Sequence, residues 1–95
     1  MSERIMTLHP EGKQGVNIEK AKYDAMAEAI ITSLQKEQPV TFNELSRTVS
    51  AHLNGKFDGS ITWYYTTVKL DLEARGEIER VPKSSPQQIR LAASK

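Results

Sequence analysis

Apolar positions recur at helical spacing over three stretches of the chain, and at alternate positions near its end. Residues 18–36 contain neither Pro nor Gly and are rich in Ala. Wound at about 100° per residue, Tyr23, Met26, Ala27, Ile30 and Leu34 fall on one stripe, with Ile31 on its flank. This predicts a first helix with Asn17 as N-cap. It closes ahead of Pro39, because the residue before a proline is pushed out of the helical region. Thr41 and Glu44 then have the spacing of a capping box, in which each side chain takes the other's backbone N–H. Val40 and Leu45 sit at the two positions of a hydrophobic staple. A second helix follows over 42–53, with Phe42, Leu45, Val49 and Leu53 as its apolar repeat and Asn54-Gly55 as its stop.

A short connection leads to Ser60, which caps a third helix over 61–75. Ile61, Tyr65, Val68 and Leu72 form its core stripe, Tyr64 lies on the flank, and Gly76 ends it. Residues 78–81 and 87–91 read as two strands around a loop bounded by Pro82 and Pro86. Ahead of the helices, residues 1–17 carry Ile5, Met6 and Leu8 and a turn at His9-Pro10-Glu11-Gly12. They form an arm or a strap, and residues 92–95 form a flexible tail. Three helices followed by a hairpin, the second and third joined by a Gly-bearing turn, predict an α+β, mostly α domain over 18–91. Its architecture is a winged helix-turn-helix, three helices plus a C-terminal β-hairpin wing.

Two motifs carry a family resemblance. Leu72-Glu73-Ala74-Arg75-Gly76-Glu77-Ile78 resembles the end of the recognition helix and the start of the wing in winged-helix regulators. Thr41-Phe42-Asn43-Glu44-Leu45 resembles the opening of their second helix. The run from Ser60 to Gly76, SITWYYTTVKLDLEARG, and the run NIEKAKYD at 17–24 are similar to a family of small bacterial winged-helix proteins with no assigned activity. That resemblance spans nearly the whole chain and implies a fold rather than a reaction.

At 95 residues the chain makes one domain, and 38% apolar with 26% charged residues is an ordinary globular composition. The absence of cysteine excludes a disulfide framework, a Cys-ligated zinc and a thiol nucleophile, and it fits a reducing cytoplasm. No apolar run exceeds three residues, so no membrane span or signal peptide is expected. The net charge of +1 points to no partner by itself. Its distribution says more: residues 60–95 carry six Lys/Arg against four Asp/Glu, and residues 1–59 carry seven against eight.

In a winged-helix DNA binder the exposed N-terminal half of the third helix enters the major groove and the wing touches the backbone. Here that places Ser60, Thr62, Trp63, Thr66 and Lys69 toward bases of double-stranded DNA, and Arg80, Lys83 and Arg90 toward phosphates. A second reading starts from the same helix. Trp63 and Leu70 lie nearly opposite its core stripe, with Ala74 beside them, and an exposed apolar strip needs a cover. The N-terminal segment, the C-terminal residues, a second copy of the chain or another protein could supply it, with Trp63 as the anchor of a protein contact. Ile18, Ala21, Ala25 and Ala29 line the far face of the first helix, which suits a homodimer contact or merely good helix formers.

Enzyme constellations fail. Ser33-Leu34-Gln35-Lys36 lacks the companions of the serine-x-x-lysine hydrolases. His9 and His52 are far apart, with no converging ligands. Gly12 and Gly15 have no Gly-Lys-Ser/Thr after them. Asp71, Glu73, Glu77 and Glu79 read as a solvated acidic face. No catalysis, cofactor, metal or small-molecule substrate is expected, and a ligand-responsive regulator finds no effector domain to support it.

Overall fold

Reciprocal capping sets the start of the second helix as its spacing demands. The Glu44 N–H donates to the Thr41 hydroxyl at 3.1 Å, and the Thr41 N–H to the Glu44 carboxylate at 2.9 Å. The computed structural model describes residues 3–13 and 15–92. The elements run β1 (Arg4–Met6), β2 (Asn17–Glu19), α1 (Lys20–Lys36), β3 (Val40–Thr41), α2 (Phe42–Leu53), α3 (Ile61–Ala74), β4 (Ile78–Arg80) and β5 (Gln88–Leu91). This is an α+β arrangement of three helices with two small antiparallel sheets. Of the expected tail, residues 93–95 lie outside the described residues.

The ends of α3 follow from its sequence. The Ser60 hydroxyl accepts the Trp63 N–H at 3.2 Å. At the other end the Gly76 N–H donates to the Glu73 carbonyl and the Glu77 N–H to the Leu72 carbonyl. Gly76 at φ +78° supplies the left-handed residue that this double closure requires. The core lies where the helices meet the larger sheet: Met26, Ile30 and Leu34 of α1, Leu45 and Val49 of α2, Tyr65 and Val68 of α3, and Ile78 and Ile89.

Four local expectations need correction. Asn17 does not cap α1: its side chain and carbonyl both accept from Arg4, and strand pairing of β1 with β2 sets Ile18 opposite Ile5. The helix therefore starts at Lys20, with Glu19 as N-cap. Val40 and Thr41 pair with β5, so the larger sheet has three strands in the order β3-β5-β4. Phe42 is exposed, its ring tilted on Tyr65 at 4.9 Å rather than in the core. The small-residue face expected on α1 is a surface only in part: Ile18, in β2, and Ala29 are buried, Ala25 is half-buried and Ala21 is exposed.

Candidate nucleic-acid interface

The two halves of α3 differ in how they are covered. On one flank of the C-terminal half, Arg80 from β4 grips Glu73 through Nε at 2.7 Å and a second nitrogen at 3.3 Å. The Lys69 ammonium meets the same carboxylate at 3.1 Å. On the other flank the Leu8 N–H donates to Asp71 at 2.8 Å, which holds the N-terminal segment across the helix as a strap. The Tyr23 hydroxyl and Arg75, the latter at 2.8 Å, also donate to Asp71. In the N-terminal half, Thr62, Trp63 and Thr66 are exposed, with no element laid over them among the described residues.

Trp63, 46% exposed, is the largest side chain on this bare stretch. Its indole meets the Tyr64 ring edge-on, centroids 4.9 Å apart, and Tyr64 meets Phe57 likewise at 5.2 Å. The Lys22 ammonium lies 5.5 Å from the centroid of the Tyr64 ring. The indole is therefore braced from beneath while its outer surface faces solvent.

The residues expected to contact DNA divide into distinct groups. Ser60, Thr62, Trp63 and Thr66 are gathered at the open end of α3, although the Ser60 hydroxyl is committed to the helix cap. Lys69 is not on this surface. It is only 6% exposed and ion-paired to Glu73, because the four-residue spacing on one helix brings the two charges together. Burial pulls its ammonium pKa down, and Glu73 opposes that shift. Arg80 and Arg90 are exposed but committed, Arg80 to Glu73 and Arg90 to Glu79 at 2.6 Å. Lys83 stands exposed in the β4–β5 loop and makes no ion pair among the described residues. Leu70 and Ala74 are half-buried, Leu70 beside the strap.

The four acidic residues do not form one solvated face. Asp71 has no exposed surface and Glu73 is nearly buried, so they are internal ion partners rather than a solvated face. The pairs Lys69/Glu73 and Asp71/Arg75, each four apart, are the signal that marks those cations as engaged. Sequence pattern does not single out Arg47 on α2 or Lys56 in the α2–α3 turn. Both are exposed and make no ion pair among the described residues.

Among the described residues, no three His, Cys, Asp or Glu converge as metal ligands. No described helix is long and apolar enough to cross a membrane. Fold and surface thus define a small α+β domain whose third helix is covered along one half and bare along the other. Residues 4–89 match the model of a family described as a family of unknown function, DUF6958, and the chain belongs to that family. No curated protein and no solved structure matches it.

Proposed function

We propose that the chain is a small winged-helix protein that binds double-stranded DNA through the N-terminal half of α3. The observation that carries this reading is the one-sided cover of α3. Strap and hairpin close over its C-terminal half, and Thr62, Trp63 and Thr66 stay open at the end that a recognition helix presents to a major groove. The hairpin supports it. Residues 81–89 contain Lys83, Ser85 and Gln87 and no carboxylate, a composition suited to phosphate. In this assignment α2–turn–α3 is the helix-turn-helix, β4–β5 is the wing, and Lys83, Arg47 and Lys56 supply the phosphate contacts. Lys69 leaves the interface. The absence of cysteine suits a reducing cytoplasm.

Titration of amide-labelled protein with a generic duplex at low salt tests this. The expected result is shifts at Thr62 to Thr66 and through the 81–87 loop, reversed by added salt. A silent spectrum at low salt, where electrostatic attraction is least screened, overturns the proposal. One observation favours a second reading, a protein partner anchored on Trp63. Arg80 and Arg90 are neutralised within the domain, whereas the braced indole is open. Trp63→Ala would abolish such a partner's binding and leave the salt dependence of duplex binding unchanged.

A further inference from the structure

We infer that the cavity between the strap and α3 is a binding site for a ring-sized organic molecule, largely apolar with one oxygen-bearing end. Its volume is about 130 Å³, and its apolar wall comes from Leu8 and Val16 of the strap and Leu70 of α3. An enclosed apolar cavity of about 150 Å³ accepts benzene, and this half-open pocket of similar volume has room for a single six-membered ring. Leu8 and Val16 are both more than one-third exposed at the site. Burying them against a ligand therefore removes apolar surface that the described chain leaves wet.

The walls are built rather than incidental. The Thr7 N–H donates to the Val16 carbonyl at 2.8 Å, and the Val16 N–H returns to the Thr7 hydroxyl at 2.9 Å. Gly15 passes so close to Thr7 that a Cβ would stand 1.8 Å from its carbonyl oxygen. The Leu8 N–H to Asp71 bond fixes this hairpin on the helix. Two polar groups complete the lining, Thr67 and His9. The His9 Nδ1 accepts the Glu11 N–H at 3.1 Å, which makes Nε2 the protonated nitrogen of the neutral ring and hence a donor. A ligand oxygen that accepts from His9 or pairs with the Thr67 hydroxyl is the complement. Phenols and cyclic alcohols have that chemistry.

Phenol is titrated into protein labelled at its methyl groups, with toluene as the isostere lacking the oxygen. The expected outcome is saturable shifts confined to methyls of Thr7, Leu8, Val16, Thr67 and Leu70, with millimolar affinity and phenol the tighter of the two. Leu70→Trp fills the cavity from the helix and should remove the shifts. Val16→Trp fills it from the strap and serves if the first variant does not fold. Unsaturable shifts, or shifts that persist in a folded filled variant, overturn the site. Equal affinity for phenol and toluene overturns the oxygen-bearing end. A wild-type dimer that Leu70→Trp dissociates also overturns the inference, because the occupant would then be a second copy of the chain.

Discussion

Asp71 carries more of the structure than any other polar side chain. Its buried carboxylate accepts from Leu8 of the strap, Tyr23 of α1 and Arg75 at the end of α3. Replacing one partner of such a site leaves buried donors without acceptors, which costs about 3–5 kcal/mol. Asp71→Ala should lower the unfolding free energy by that order in urea titration, whereas Tyr23→Phe should cost about 1.5–3 kcal/mol, because Leu8 and Arg75 still donate to the carboxylate. Tyr23 also sets a pH dependence. Burial, and then the Asp71 carboxylate, raise its phenol pKa well above the ordinary value. Above about pH 10 the unfolded chain therefore binds fewer protons than the folded one, and stability falls as pH rises. Tyr65, raised by burial, acts in the same direction. Lys69, lowered by burial, acts oppositely, in the window below its ordinary value. Urea midpoints at about pH 9 and about pH 11 should separate less in Tyr23→Phe than in the wild type. None of this is legible from the spacing of Asp71 with Glu73, Glu77 and Glu79, which predicts a solvated acidic face. Its burial depends on Leu8, 63 positions away in sequence, and no periodicity within α3 encodes that partner.

At the scale of elements, signals that close within four residues were readable. The Thr41/Glu44 box, the Ser60 cap and the glycine-terminated end of α3 are all local. Thr41→Ala should therefore cost about 1 kcal/mol, measured as a drop in urea midpoint without a change in slope. Signals that close over long range were not readable. A two-residue strand such as β3 has no alternation to detect, and only β5 reveals it. The start of α1 was misplaced for the same reason: β1 captured Asn17 and converted a cap candidate into a strand residue. The strap rests on one position without spare room, Gly15. Gly15→Ala forces the β1–β2 connection apart and should cost about 1–3 kcal/mol. Hydrogen exchange should quicken at the Thr7, Leu8 and Val16 amides and stay slow in the core of α2, where Leu45 and Val49 are buried.

Across the whole molecule, charge divides into cations paired within the fold and cations that make no ion pair among the described residues. Lys69, Arg75 and Arg80 are matched to carboxylates that are themselves buried or nearly so, and Arg90 pairs with Glu79 across adjacent strands. Arg47, Lys56 and Lys83 are exposed and make no ion pair among the described residues. Counterion release counts only cations that neutralise phosphate, at about 0.9 of a unit in the salt exponent for each. Three such contacts give log K against log salt a slope of about −2.7, rather than the steeper value that every Lys and Arg of α3 and the wing together would imply. Lys83→Gln should make that slope shallower by about 0.9 and leave the urea midpoint in place. Arg80→Gln should do the reverse. It loses a two-pronged contact to Glu73, lowers stability by about 1 kcal/mol, and, under the proposed DNA reading, leaves the slope unchanged with Arg80 held on Glu73. If both variants shift the slope equally, Arg80 exchanges its carboxylate for phosphate on binding, and the division between holding and binding cations does not stand. Fluorescence titrations of the two variants at four salt concentrations, with the same duplex throughout, decide between these outcomes.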